Sequence, residues 1–157
     1  MKKETKRIIR LGSAVLFVIY IVLLMYFLFF SESYGRAAGA ERTYRYNLVP
    51  FLEIRRFWNY RGQLGTLALF TNIFGNVLGF IPYGFFLPVV VNRRRCGLWI
   101  VLSGFCISLV VELIQLGTRV GCFDVDDLLL NTLGAALGYG GFRILNHVRR
   151  KYHGKKI

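Results

Sequence analysis

Residues 97–117 read GLWIVLSGFCISLVVELIQLG, and Glu112 is the one charged side chain among them. At ~1.5 Å per residue, a helix of this length crosses the ~30 Å hydrocarbon core of a bilayer. A carboxylate inside that core costs roughly 2.5 kcal/mol or more, so an ionisable residue there marks a candidate functional site. The run therefore predicts a transmembrane helix that carries an internal polar site.

The whole chain repeats this arrangement of apolar runs bounded by charged residues. It has 157 residues, of which 55% are hydrophobic, and a net charge of +13. So hydrophobic a composition is unusual for a soluble domain. We expect an all-α, polytopic membrane protein that forms one domain. Its four predicted transmembrane helices lie at about residues 11–30, 66–90, 97–117 and 128–145.

The second predicted helix lies in an uncharged stretch, 62–92, that is too long for one crossing and too short for two. Pro82 lacks a backbone N–H and cannot bond to the carbonyl of Leu78, which predicts a kink in this helix. The excess length is assigned to the outer interface. The first outer loop is predicted to be partly interfacial, because its residues 52–58 mix cations with aromatic side chains.

The distribution of Lys and Arg predicts the orientation. Fourteen of the 21 lie before the first helix, between the second and third, or after residue 142. These three places share one side of a four-helix bundle. Because cytoplasmic segments carry the excess of Lys and Arg, both termini are predicted to be cytoplasmic. The cations cluster at helix ends and form no stripe along one element, which argues against a nucleic-acid partner.

Polar and small side chains recur at helical spacing in the last three helices, at similar depths in the outer half of the membrane. This spacing places them in a stripe along one face of each helix and allows close helix approach. One interpretation is packing, with Glu112 neutral or paired with Arg119. The other is a functional site, because the four neighbouring carboxylates exceed what packing requires. The polar and small residues concerned are Asn72 and Asn76; Gly104, Ser108, Glu112 and Gln115; and Asp127, Asn131, Gly134 and Gly138, preceded by Asp124 and Asp126.

Four motifs follow one another between about Tyr46 and Tyr139. They are NLVPF at 47–51, NIFGNVLGFIPYG at 72–84, Ser108 with Glu112 and Gln115, and DVDD at 124–127 followed by Asn131 and Gly134. In this order and combination they resemble the VanZ-like family, small bacterial membrane proteins named for a teicoplanin-resistance factor. The resemblance implies a multi-pass protein of the bacterial cytoplasmic membrane, associated with glycopeptide resistance, and it carries over no cofactor.

The stripes and the family motifs together predict the ligand-binding residues. Membrane lipids are the expected surroundings, and a lipid-linked cell-wall precursor or a glycopeptide is the expected partner. Both histidines lie in the inner tail, so no zinc site with the outer carboxylates is predicted. The candidate residues are Asn47, Pro50, Phe51, Asn72, Asn76, Ser108, Glu112, Gln115, Arg119, Asp124, Asp127 and Asn131, with Glu112 and Asp127 as hypothetical catalytic groups.

Three mechanisms remain open from the sequence. In the first, an outer-leaflet polar pocket binds the ligand without changing it. In the second, the protein is a hydrolase or transferase, with Glu112 as general base and with Asp124 and Asp127 holding a hard cation such as Mg²⁺. In the third, it is a small transporter.

Overall fold

The computed structural model describes residues 3–30, 44–60, 66–91, 97–119 and 121–153. Four of its helices are long and apolar enough to cross a membrane. The prediction of an all-α polytopic membrane protein is confirmed. The elements are α1 (Lys3–Phe30), β1 (Arg45–Asn47), α2 (Leu52–Tyr60), α3 (Thr66–Val90), α4 (Gly97–Thr118), β2 (Cys122–Asp124) and α5 (Val125–His153).

The two outermost helices extend beyond the apolar runs that predicted them. The helix expected at 11–30 begins at Lys3, and the helix expected at 128–145 runs from Val125 to His153. Lys and Arg are good helix formers, so a basic segment prolongs a helix past its membrane-spanning part. The apolar runs therefore predicted where these two helices lie but underestimated their lengths.

Helices α3 and α5 form the most extensive contact in the bundle. Glycines let the two backbones meet: a Cβ added to Gly134 would overlap the carbonyl oxygen of Val77, and one added to Gly138 would overlap that of Ile81. Close approach at small residues is the usual way in which membrane helices associate. Contacts advance together along both helices, so α3 and α5 run parallel.

Two hydrogen bonds place α1 against α3 and α4 and identify the two ends of the bundle. Arg10 Nε donates to the carbonyl of Val90 at 3.0 Å, and Gln115 Nε2 donates to the carbonyl of Leu28 at 2.9 Å. The start of α1 thus lies beside the end of α3, which we name the basic end. The ends of α1 and α4 lie together at the opposite, acidic end, where α5 begins.

A tyrosine hydroxyl holds α1 near the proline of α3. The helix α3 continues through Pro82, and Tyr20 Oη donates to the carbonyl of Gly79 at 2.6 Å, one turn before that proline. Because Pro disrupts the hydrogen bonds of the preceding turn, carbonyls there need other donors. Tyr20 therefore satisfies a polar group inside the bundle, in a core that includes Phe80 and Tyr83.

The acidic end carries three elements that the helix predictions did not include. Strands β1 and β2 pair in parallel, with Arg45 opposite Cys122 and Asn47 opposite Asp124. The short helix α2 follows β1 and contacts α3 and α5. The segment that was expected to be a partly interfacial loop is therefore, over residues 44–60, an ordered layer on the helix ends.

Candidate functional site

Two fully buried polar side chains form the inner layer of the site. Asn131 on α5 is 1% exposed, and its Nδ2 donates to Ser108 Oγ on α4 at 2.8 Å. This contact joins two of the stripes identified in the sequence. Asn131 Oδ1 is buried and has no hydrogen-bond partner within the described part of the chain. Buried carbonyl oxygens are nearly always paired in native proteins, so this one requires an explanation.

Two carboxylates lie one helical turn closer to the acidic end and form the outer layer. Glu112, 3% exposed, accepts a hydrogen bond on Oε2 from the backbone N–H of Asp124 at 3.0 Å. Asp127 accepts one on Oδ1 from Asn76 Nδ2. Glu112 and Asp127 therefore each use one oxygen to hold a neighbouring element in place.

The pairing of Glu112 with Arg119, which the packing interpretation offered as one alternative, is not found among the described residues, and Arg119 makes another contact instead. The Arg119 guanidinium lies 4.2 Å from the centre of the Tyr44 ring, and its Nη2 donates to the Tyr44 hydroxyl at 3.0 Å. Within the described ranges, the one salt bridge joins Arg56 and Glu53. Neither carboxylate of the outer layer therefore has a cationic side chain to neutralise it among those residues.

Asp124 begins α5 as its N-cap. Its Oδ1 accepts hydrogen bonds from the Asp126 backbone N–H at 2.8 Å and from Asn47 Nδ2 at 3.1 Å. Burial raises the pKa of Asp124 above its usual range; these two hydrogen bonds lower it in part, and the charges of Asp126 and Glu53 add to the increase. Asp124 therefore has mainly a structural role as the N-cap of α5, and capping bonds of this kind stabilise a helix by about 1 kcal/mol.

Asp126 caps a second helix, across the fold. It is 0% exposed, and its two carboxylate oxygens accept from the backbone N–H groups of Phe51 and Glu53, the latter at 2.8 Å. Phe51 directly precedes α2 and Glu53 lies in its first turn, and this helix has no Ser, Thr, Asp or Asn at its start to cap it locally. That missing local cap was the sequence signal for a distant partner. Asp126 thus has a structural role, and it was not among the ligand-binding residues predicted from the sequence.

The segment fixed by Asp126 presents aromatic side chains to the surroundings. Phe51 has a backbone φ of 63° and a side chain that is 60% exposed. A bulky residue in the left-handed region is strained by about 1 kcal/mol or more, and such strain is common at functional sites. We name Tyr44, Tyr46, Phe51 and Trp58, all more than half exposed, the aromatic platform.

The remaining predicted residues divide into four groups. Asn47 and Asn76 join the carboxylates, as described. Gln115 is buried but bonds to the Leu28 carbonyl, so its contact is between helices α1 and α4. Pro50 lies in an exposed turn before α2. The side chain of Asn72 lies outside the described residues.

The sequence of the chain matches a known family. The model of the VanZ/LLP1 family matches residues 17–146, most of the chain. The chain belongs to the VanZ/LLP1 family. The resemblance inferred from the sequence motifs is thereby confirmed.

A curated relative supports the assignment to the VanZ/LLP1 family. The chain is 28% identical over 142 residues to Protein VanZ of Enterococcus faecium. The aligned region covers 87% of this chain and 77% of that protein. No solved structure matches. The part matched by the VanZ/LLP1 model contains β1, α2, both layers of the site and the start of α5, so the acidic end belongs to the family's shared region.

Among the described residues of this VanZ/LLP1 protein, no group of three or more His, Cys, Asp or Glu side chains is arranged to hold a metal ion. Asp124 and Asp126 are occupied with the caps of α5 and α2. The groups left with chemical freedom are Glu112 and Asp127, next to Asn131.

Proposed function

We propose that this protein lies in a bacterial cytoplasmic membrane with its acidic end outward. It would bind a lipid-linked or glycopeptide ligand there and lower susceptibility to teicoplanin-type glycopeptides. One observation carries the proposal: the buried Asp126 carboxylate holds the segment with Phe51 and Trp58 of the aromatic platform on the helix ends beside Glu112 and Asp127. A bundle that only spanned the membrane would not need this layer.

The chemistry of the layer supports a ligand that approaches along the membrane surface. Tyr and Trp concentrate at the level of lipid headgroups, where an aromatic ring meets the apolar phase and its polar atom meets water. Arg45, Arg55 and Arg56 lie among these aromatics and are exposed. An amphiphilic ligand with an anionic headgroup or a polar peptide part fits such a surface.

The contacts of Asp124 give the hydrolase alternative less support than binding. That alternative needs Asp124 and Asp127 as ligands of one cation. Asp124 Oδ1 already accepts two hydrogen bonds, from Asn47 and from the N–H of Asp126. Moving this carboxylate onto a cation would uncap α5.

Binding is tested with the purified protein in lipid nanodiscs. We expect saturable binding when it is titrated with teicoplanin in one series or with a lipid-linked cell-wall precursor in another. Trp58→Ala should weaken that binding about tenfold or more, as the loss of an aromatic anchor typically does. Tyr152→Ala is the matched control, because Tyr152 is 77% exposed at the basic end and should be dispensable. Absence of saturable binding to both probes would contradict the proposal.

The outward orientation predicts the reactivity of Cys122 in intact cells. Cys122 is exposed at the start of β2, on the acidic end. A membrane-impermeant maleimide should label the wild type and leave Cys122→Ser unlabelled. A cysteine introduced by Tyr152→Cys into Cys122→Ser should react after permeabilisation only.

The pH dependence of this labelling follows from the site. Burial, followed by the negative charges of Asp124 and Glu112, raises the pKa of the Cys122 thiol. Since the thiolate is the reactive form, labelling should accelerate when the pH rises from about 7 to about 8.5. Labelling of the Tyr152→Cys variant in intact cells would reverse the orientation.

A further inference from the structure

Three oxygen atoms of the site lack a hydrogen-bond donor among the described residues. Asn131 Oδ1 is buried without a partner. Glu112 accepts through Oε2 and Asp127 through Oδ1, which leaves Glu112 Oε1 and Asp127 Oδ2. Asn131 Oδ1 can only accept a hydrogen bond, and the same holds for Glu112 Oε1 and Asp127 Oδ2 when the carboxylates are ionised. What occupies the space between them must therefore supply positive charge or donors.

The three oxygens belong to adjoining turns of two packed helices. Asp127 precedes Asn131 by four residues on α5, and Glu112 follows Ser108 by four residues on α4. Each carboxylate therefore lies one turn closer to the acidic end than a residue of the inner layer. The bond between Asn131 and Ser108 joins the two helices at that level. Because Asn131 is 1% exposed, its Oδ1 lies inside the bundle and not towards lipid.

The charges of this region are not balanced by protein groups. Glu112 is buried and Asp127 is partly buried, so each needs a positive partner as far as it is ionised; the salt bridge found among the described residues lies elsewhere, between Arg56 and Glu53. One proton would neutralise one carboxylate and would satisfy one acceptor. A small cation bound between α4 and α5 would instead supply positive charge to acceptors on both helices.

We propose that Glu112, Asp127 and Asn131 form a binding site for a small monovalent metal cation such as Na⁺, with Ser108 holding Asn131 in place. Oxygen ligands from carboxylates and amides are those that hard cations prefer. Each carboxylate already gives one oxygen to a hydrogen bond, which leaves one oxygen apiece for a cation and favours a singly charged ion. The cation would join α4 to α5 at the level where α5 begins. This inference does not depend on the ligand proposed above.

Thermal unfolding of the detergent-solubilised protein tests the cation site. Chloride concentration and ionic strength are held constant while Na⁺ replaces N-methyl-D-glucamine, a cation too large for the site. We expect the apparent melting temperature to rise by about 5 °C and to saturate with Na⁺ concentration, because a ligand that binds the folded state alone stabilises it. A series with K⁺ measures size selectivity.

Variants assign the effect to the three oxygens. Asn131→Leu should remove the Na⁺-dependent rise, whatever its effect on the melting temperature itself. Glu112→Gln should remove it also, and serves if Asn131→Leu does not fold. Asn146→Leu is the matched control: Asn146 Oδ1 is also buried and unpaired, but it lies ~22 Å further along α5. That variant should keep the rise.

Two results would overturn the cation site. Equal melting temperatures in Na⁺ and N-methyl-D-glucamine would show that a proton or a water molecule satisfies the oxygens instead. A Na⁺-dependent rise that survives Asn131→Leu and Glu112→Gln would place the cation elsewhere. Neither measurement involves a glycopeptide, so failure of the proposed function would leave this test unaffected.

Discussion

Gly138→Leu should lower the free energy of unfolding by about 3 kcal/mol and reduce the yield of folded protein in the membrane. A Cβ at Gly138 would overlap the carbonyl oxygen of Ile81 and approach the backbone N of Phe85 at 3.0 Å. These are backbone atoms of α3, which cannot turn away as a flexible side chain can. The two helices would have to separate, and the α3–α5 contact is the most extensive in the bundle. Thermal unfolding in detergent, followed by size-exclusion chromatography, measures the loss.

Gly140→Leu is the matched control on the same helix. A Cβ at Gly140 meets no atom within 4 Å. Leucine also favours a helix over glycine by about 0.8–1 kcal/mol, so this variant should be as stable as the wild type or more stable. Gly134→Leu, which would press on the Val77 carbonyl, should resemble Gly138→Leu. If Gly138→Leu melts at the same temperature as Gly140→Leu, the α3–α5 interface described here is wrong.

The bundle could be predicted from the sequence because its signals are local. The length of each apolar run locates a transmembrane helix, and a four-residue spacing places polar groups on one face. Ser108 and Asn131 were predicted on facing stripes at similar depth, and they are hydrogen-bonded at 2.8 Å. Depth and spacing together therefore predict contacts between membrane helices.

The layer on the acidic end could not be predicted in the same way. Strands of three residues carry too little alternation to be recognised, and β1 and β2 are separated by three helices in the chain. The cap of α2 comes from Asp126, more than 70 residues after the backbone N–H groups that it binds. Such contacts are fixed by the packing of α5 against the other elements, which no local pattern encodes.

The roles of the four neighbouring carboxylates were also indistinguishable in the sequence. All four were treated as one possible functional cluster, whereas the structure separates them by their partners. Asp124 and Asp126 satisfy the backbone N–H groups of helix starts, and Glu112 and Asp127 each keep one oxygen uncommitted among the described residues. Residue type and spacing predicted where the carboxylates lie, but the donor to each oxygen decides what it does.

Glu112→Gln should abolish function without loss of the fold. Glutamine retains a carbonyl oxygen that can accept from the Asp124 N–H, the bond that Glu112 Oε2 makes. In Na⁺-free buffer, removing a buried charge that has no ion pair among the described residues should leave stability equal or higher. Asp127→Asn keeps the acceptor for Asn76 Nδ2 and should behave in the same way. Glu4→Gln, a change at an exposed carboxylate near the start of α1, is the charge-matched control.

The most direct test is the teicoplanin susceptibility of cells that express the wild type, Glu112→Gln or Glu4→Gln at equal levels in the membrane. Protein levels are measured in the same membranes, so that a collapsed fold is distinguished from a lost site. The proposed site predicts tolerance with the wild type and Glu4→Gln, and susceptibility equal to cells without the protein for Glu112→Gln. Full tolerance with Glu112→Gln would contradict a functional carboxylate at this position, and absence of tolerance with the wild type would contradict the proposed role in glycopeptide resistance.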